Sequence, residues 1–385
     1  MSDLRIALVS PYDVSFPSGV NSHVANLARE FLALGHDVRM FAPGSKRDNC
    51  GDGTAVIGRP VALPVSGSVA RITLSPFVGR KVKEALDRGR FDIVHIHEPF
   101  MPALSLQFLR HSRTATIGTF HAAREGVSPF YSLARPLLRR WARHLDGRIA
   151  VSPAAARLAL RYVPGQYEII PNGVDIARFA APARCPPEIT ALQPYVLFVG
   201  RFEERKGLSV LLHAFAAVKA RHPEVHLVVV GDRGGEAIER ELTTRYAVAD
   251  VHIAGHVADE LLPAYYQHAT VFCAPNTGNE SFGVVLLEAM AAGCPVVASN
   301  IEGFAELVAY GIHGLLVPPR SPGLLADALS RVLSDPTIAR RLAASVAAYA
   351  SQFAWPKVAG EVLAYYQAIL TERRRRPTLI REAQL

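Results

Sequence analysis

Tyr195-Val-Leu-Phe-Val-Gly-Arg-Phe-Glu-Glu-Arg-Lys-Gly207, continued by Leu208–Arg221 and then Val225–Val230, decides the fold. Tyr195–Val199 is a short, wholly apolar run, and the segment after Gly207 places its apolar residues at helical period. A second apolar run follows. Strands without alternation are buried on both faces, and strand, helix and strand in succession make a parallel βαβ unit. The same rhythm extends in both directions. Upstream lie strand candidates at Ile6–Val9, Asp37–Phe41, Ile93–Ile96, Thr114–Phe120, Gly147–Val151 and Tyr167–Ile170. Downstream lie Val251–Ala254, Val271–Ala274, Val296–Ser299 and Leu315–Val317, with helical patterns such as Val20–Leu34 and Val284–Ala292 between strands. The expected class is α/β, with parallel sheets covered by helices on both faces.

A chain of 385 residues exceeds what one core usually supports. Arg178–Gln193 breaks the rhythm with prolines and polar residues, so the domain junction is expected there. The expected division is 1–180, 194–354, and a helix with basic tail over 355–385 that crosses back to the first domain. Two doubly wound, Rossmann-like domains in series imply a central cleft, with ligands at the carboxyl ends of the strands.

A content of 50% hydrophobic and 20% charged residues excludes a disordered chain. The longest apolar run, Val284–Ala298, is interrupted by Glu288, Gly293 and Pro295, so no bilayer span is expected. Met1-Ser-Asp-Leu-Arg5 lacks the features of a signal peptide. Cys50, Cys185, Cys273 and Cys294 show neither metal spacing nor a paired framework. These readings give a cytosolic, soluble protein. The net charge of +8 is concentrated in Arg71–Arg90, Arg135–Arg148 and Glu372–Glu382, which would attract anionic surfaces. In the first stretch, Phe77–Arg88 reads as a helix with Phe77, Val78, Val82, Ala85 and Leu86 on one half and Arg80 and Lys83 on the other. That face is either simply solvated or in contact with lipid headgroups. The basic runs are not interleaved with aromatics and no base-reading motif is present, which argues against nucleic acid.

The motifs follow the strands. Gly19 opens the helix after the first strand, where amides can face an anion. The segment is not G-x-G-x-x-G and no acidic residue follows the second strand, which argues against a nicotinamide cofactor. Alternation along Val94-His-Ile-His97 puts His95 and His97 on one face, and His121 ends the next strand. Zinc held with Glu98 and His121 is conceivable, but their order and spacing fit no zinc pattern. Histidines there suit hydrogen bonds to a ligand or to one another. Arg201, Arg205 and Lys206 at a helix N-terminus oppose its dipole, so a bound di-anion would offset them; the alternative is local bridges to Glu203 and Glu204. The next helix should begin near Phe282 or Gly283, leaving Glu280 before it and Glu288 inside it, about 10 Å apart. Glu288 lies among Leu286, Leu287, Ala289 and Met290 and needs a partner. Two carboxylates so spaced suit a polyhydroxylated anion with sugar at one end, phosphate in the middle and ribose at the other.

Gly200-Arg201 with Arg205-Lys-Gly207, Glu280-x7-Glu288, Pro171-Asn-Gly-Val-Asp175 and Thr119-Phe-His121 together resemble the retaining family 4 glycosyltransferases of the GT-B fold. The resemblance runs from residue 4 to about residue 370. Gly67-Ser-Val-Ala-Arg71, Arg80-Lys-Val-Lys83, His95-Ile-His-Glu-Pro99 and Glu280-Ser-Phe-Gly283 resemble the branch that moves mannose from GDP-mannose onto phosphatidylinositol at the inner face of the cell membrane. The resemblance implies that Gly19, Arg201 and Lys206 hold the donor pyrophosphate and Glu288 the ribose, with Val257, Asp259 and Ser281 also on the donor. Glu280 and the amides of Phe282 and Gly283 would hold the sugar, with His121 beside it at the reaction centre. Tyr12, Asn21, Phe100 and Ala122 would meet the acceptor, and Arg71, Arg80, Lys81 and Lys83 the membrane. It further implies retention without a protein nucleophile, the leaving phosphate oxygen taking the acceptor proton while Arg201 and Lys206 stabilise its charge, and neither cofactor nor metal. The family's Gly-Gly-Val is Ser18-Gly19-Val20 here, and Ala258-Asp-Glu-Leu-Leu262 lacks the lysine that touches guanine. A UDP-sugar donor with another glycolipid or a soluble acceptor is therefore the alternative.

Overall fold

The computed structural model describes residues 3–16, 18–45, 53–65, 68–75, 77–123, 129–231 and 236–382. Cys50, Gly67 and the end of the basic tail lie outside these. The chain forms two compact units, one of Met1–Asn172 with Trp355–Leu385 and the other of Gly173–Ala354.

The first unit holds β1 (Arg5–Val9), β2 (Asp37–Ala42), β3 (Thr54–Val56), the hairpin β4 (Pro60–Val65) and β5 (Ser68–Thr73), then β6 (Ile93–His97), β7 (Ala115–Phe120), β8 (Gly147–Ala150) and β9 (Glu168–Ile169). Its parallel sheet runs in the order β3-β2-β1-β6-β7-β8-β9. Along β1, Ile6 and Leu8 enter a core with Leu27, Phe31, Val358 and Tyr366, whereas Ala7 and Val9 enter another with Phe41, Val82 and Phe108. Burial on both faces is why the strand carries no alternation. Strand order reverses between β1 and β6, so the loops after these two strands diverge and leave a crevice at their carboxyl ends.

The second unit holds β10 (Tyr195–Val199), β11 (His226–Val230), β12 (Val251–Gly255), β13 (Val271–Ala274), β14 (Val296–Ser299) and β15 (Leu315–Val317), in the order β12-β11-β10-β13-β14-β15. Tyr195 and Leu197 face one core, Val196 and Phe198 the other. The reversal here falls between β10 and β13, the two strands followed by the Arg201–Gly207 and Pro275–Gly283 segments.

Two expectations change. The Arg178–Gln193 segment is not a linker but a packed part of the second unit. Phe179 is buried with its ring 5.8 Å from that of Tyr266, and Gln267 Nε2 donates to the Phe179 and Ala181 carbonyls, each at 2.7 Å. The first boundary consequently falls after Asn172 rather than near 180. The hairpin β4–β5 was not expected, because Pro60 and Pro64 interrupt its strand pattern; an isolated antiparallel pair tolerates proline where a central strand does not. Among the described residues no helix is long and apolar enough to cross a membrane.

The helix Trp355–Glu382 completes the first unit. Its Tyr366 is fully buried, with the ring 5.8 Å from Phe31 and the hydroxyl 2.6 Å from His95 Nδ1. Tyr366→Ala should cost about 3–5 kcal/mol by loss of buried volume. Tyr366→Phe should cost about 1–3 kcal/mol by orphaning the imidazole nitrogen. Urea denaturation measures both, and a cost below about 1 kcal/mol for the alanine variant would show that the helix does not dock as described.

Candidate functional site

In the second unit the site begins with a close approach of two loops. After β10 the chain makes a 3-10 turn over Glu204–Lys206, passes Gly207 at φ 74° and enters the helix Leu208–Arg221. A Cβ at Gly207 would lie 2.0 Å from the Pro275 carbonyl oxygen, so only glycine lets this loop lie against the one after β13. The Thr277 N–H donates to the Arg205 carbonyl at 2.8 Å, tying them. Gly303 plays the same part from the other side, since a Cβ there would meet the Glu280 carbonyl oxygen at 2.2 Å.

Held between these approaches, Glu280 Oε2 accepts from Lys206 Nζ at 2.6 Å, Arg205 Nη1 at 3.1 Å and Asn276 Nδ2 at 3.0 Å. Glu203 in turn pairs with Arg201 at 2.9 Å and Arg205 at 2.8 Å. Arg201, Arg205 and Lys206 are thus met by two carboxylates, leaving one positive charge in excess. The local-bridge alternative is realised at Glu203 rather than Glu204, and Glu280, read from sequence as a ligand for hydroxyls, is also the counter-ion of Lys206. Burial alone would raise the Glu280 carboxyl, but the Lys206 and Arg205 charges outweigh it and hold the group below its usual range. The Arg201 side chain stays 49% exposed, open on the side away from Glu203.

The helix Val284–Ala291 starts from Gly283 at φ 94°, where a Cβ would meet the Phe304 ring at 2.7 Å. One and a half turns on, Glu288 Oε2 accepts from the Tyr266 hydroxyl at 2.9 Å. Burial pushes its carboxyl up to about 7, against the opposing pull of that hydroxyl and of the Arg178 charge. Arg178 donates to the Asp259 carbonyl and lies over the Phe179 ring. Val257 is half-buried against the core, the Asp259 side chain is exposed, Ser281 is half-buried and the Phe282 ring is a core group 6.0 Å from Phe353. Tyr266, Arg178 and Gly303 escaped the sequence reading, being brought to the motif by contacts distant in the chain, whereas Asn276 lies four residues before Glu280 in the same loop and was simply given no role.

In the first unit, Ser18 Oγ accepts from the Asn21 N–H at 3.1 Å and caps the helix Gly19–Ala33. Nothing lies within 4 Å of a Cβ built at Gly19, so packing does not require glycine there and the helix start is left uncovered within this unit. Asn21, an expected acceptor contact, spends its amide on the Asp13 and Phe16 carbonyls at 2.8 and 3.2 Å and accepts from Ser10 Oγ at 2.7 Å. Its role here is to shape the loop. Tyr12 is half-buried and its backbone bridges to Ile72; the Phe100 ring packs 5.7 Å from Phe120; Ala122 is exposed. The Arg71 guanidinium stacks 4.1 Å over the Phe16 ring, whereas Arg80, Lys81 and Lys83 are exposed on the helix Val78–Gly89 beside Phe77, which is 84% exposed.

The crevice side of β6 and β7 carries imidazoles. His95 sits between the Tyr366 hydroxyl and Thr119 Oγ1, each at 2.6 Å. His97 Nδ1 and His121 Nε2 are 2.9 Å apart, and His23 Nδ1 is 2.8 Å from Asn172 Oδ1. Burial lowers His23 to about 4 and His95 to about 3, and depresses His97 and His121 well below the usual value. All four are therefore neutral at neutral pH. Glu98 Oε1 accepts from the backbone N–H groups of His121 and Ala122 at 2.7 and 2.9 Å; burial raises its carboxyl and those two donors partly offset the rise.

Residues 186–351 match the family model described as glycosyl transferases group 1, and residues 17–178 match glycosyltransferase family 4. The chain is 37% identical over 372 residues to the phosphatidyl-myo-inositol mannosyltransferase of Mycobacterium leprae, covering 96% of this chain and 98% of that one. It is 37% identical over 380 residues to the protein of the same name from Mycobacterium tuberculosis, covering 95% and 97%. Among solved structures, a glycosyltransferase from Rickettsia africae matches with a TM-score of 0.76 at 20% identity, covering 96% of this chain and 99% of that one.

Glu288 yields a pH prediction for the ligand-free protein. Its pKa is raised in the folded state, so the stability linked to its proton is full below about 4.5 and is lost as pH rises through about 7. Relative to wild type, Glu288→Gln should therefore gain up to about 3 kcal/mol between pH 5 and pH 8. Denaturation at both pH values measures the difference; a constant difference would show that burial does not set this pKa.

Proposed function

The chain belongs to the family 4 glycosyltransferases of the GT-B fold and is a hexosyltransferase, and from that premise we propose that it moves mannose from GDP-mannose, with retention, onto a phosphatidylinositol-type lipid at the inner face of the cell membrane. The observation that carries this reading is the ion-paired cluster of Arg201, Glu203, Arg205, Lys206 and Glu280, set at the strand-order reversal of the second unit.

Its excess positive charge and the open side of Arg201 suit a diphosphate, which Arg grips through two oxygens and Lys meets as a point charge. Glu280, kept ionised and oriented by Lys206, can accept hydrogen bonds from sugar hydroxyls. As the glycosidic bond breaks, charge grows on the phosphate oxygen and Lys206 and Arg201 stabilise it; one such fixed donor is worth about 3–4 kcal/mol in comparable sites. That oxygen takes the proton of the acceptor hydroxyl, so no protein nucleophile is needed. His121, neutral, hydrogen-bonds the sugar without adding charge. Glu288 in its ionised form accepts from ribose hydroxyls. The exposed Asp259 carboxylate can accept two hydrogen bonds from the edge of guanine, where uracil offers one. Arg80, Lys81 and Lys83, with Phe77 beside them, would dock on anionic headgroups.

Lys206→Ala should reduce transfer at least about 100-fold while the protein remains folded. A thermal-shift panel with GDP, UDP, ADP and their sugar conjugates tests the donor. A ligand at a hundredfold its Kd adds about 2.7 kcal/mol, a shift of a few degrees. Stabilisation by GDP species alone supports the proposal, and stabilisation by UDP species would replace the donor. Reversing the charges at Arg80, Lys81 and Lys83 should weaken binding to anionic vesicles on the order of 100-fold, at about 1 kcal/mol per basic residue. Unchanged vesicle binding would leave these as ordinary surface charges.

A further inference from the structure

Three imidazoles from separate elements converge within the first unit. His23 comes from the helix Gly19–Ala33, His97 ends β6 and His121 follows β7, and one ring nitrogen of each lies within 4.8 Å of the others. One feature beyond their convergence separates this group from ordinary packed histidines. His23 Nδ1 is held by Asn172 Oδ1, an oxygen that can only accept, so Nδ1 carries the hydrogen and Nε2 keeps its lone pair. A ring fixed in that way by an outer partner is the usual support of a metal-binding histidine.

We propose that His23, His97 and His121 bind one divalent transition-metal ion of the zinc class, with a fourth coordination position open. Imidazole nitrogen suits such ions, whereas magnesium and calcium prefer oxygen. Zinc–nitrogen bonds of about 2.0–2.1 Å in a tetrahedral site set the ligand atoms about 3.3 Å apart, so closing the widest separation needs about 1.5 Å of side-chain movement in all. The ion would replace the hydrogen bond between His97 and His121. The imidazoles are already neutral, the form that coordinates, and entry is from the half-buried His121 side. The metal reading weighed from sequence used Glu98. The fold instead commits Glu98 to two backbone N–H groups and brings in His23, distant in the chain.

One consequence rests on the transfer reading: an ion that captures His121 inhibits the reaction. Metal binding itself does not depend on that reading. The test is titration of the full-length, chelator-stripped protein with cobalt(II), whose visible absorption is strong in a tetrahedral nitrogen site and weak in an octahedral one. One saturable equivalent is expected, displaced by zinc and weakened at least tenfold in His97→Ala, in His23→Ala and in His121→Gln. The last variant alters a partly exposed ring and guards against misfolding of the other two, while exposed His213→Ala serves as control. Absence of a tetrahedral spectrum, or one unchanged in every folded variant of the three, overturns the site. Cobalt binding that depends on these residues but leaves transfer uninhibited would uphold the site and overturn the placement of His121 at the reaction centre.

Discussion

The second unit is organised around one shared carboxylate. Glu280 meets two cations and an amide through a single oxygen, in a place where an unpartnered charge would be costly. That pairing works only if the loops after β10 and β13 lie nearly in backbone contact. Gly207 and Gly303 are therefore positions where any Cβ would collide with a carbonyl oxygen. The same requirement fixes where the cluster can be built. Loops that follow adjacent strands of opposite winding direction reach the sheet edge side by side, so the strand order supplies the proximity and the glycines supply the final approach.

The two units offer different chemistry. The second presents ionised groups whose charges nearly balance, with one positive charge left to meet a phosphate. The first presents a row of imidazoles that burial keeps neutral, backed by the Tyr366 hydroxyl, Thr119 and Asn172. Neutral imidazoles can donate or accept hydrogen bonds, or ligate a metal, without adding charge beside a phosphate. Protonating them would put several positive charges within one small volume, and desolvation makes that costly.

Much of the fold could be read from the chain because buried parallel strands are short, apolar and bounded by helical periods. Tyr195–Val199 and Val271–Ala274 coincide with expected strands for that reason. The hairpin Pro60–Thr73 could not be read, since its prolines imitate a loop, and Arg178–Gln193 imitated a linker because its anchors, Tyr266 and Gln267, come from far along the chain. The site follows the same division. Lys206, Glu280 and Gly283 sit in local motifs with a chemical reason for each residue. Tyr266 against Glu288, Asn172 against His23 and Gly303 against Glu280 are long-range contacts that no spacing encodes. Asn21 shows the converse, a residue marked by its motif whose side chain is consumed in shaping its own loop.

Glu280 and Glu288 show how environment alone can assign roles. They stand eight residues apart and burial raises both, yet the net shifts are opposite, because only at Glu280 do neighbouring charges outweigh burial. Lys206 and Arg205 keep Glu280 ionised throughout the physiological range, so its hydrogen-bonding capacity does not vary with pH. At Glu288 burial outweighs the Tyr266 hydroxyl and the Arg178 charge, so the carboxyl titrates near neutrality and is poised between two states. A ligand that donates hydrogen bonds to Glu288 must draw it into the ionised form, and the work of doing so is taken from the binding energy when the surroundings are acidic. The pair thus divides one motif into a fixed acceptor and a responsive one, an arrangement set by which side chains the fold brings beside each carboxylate.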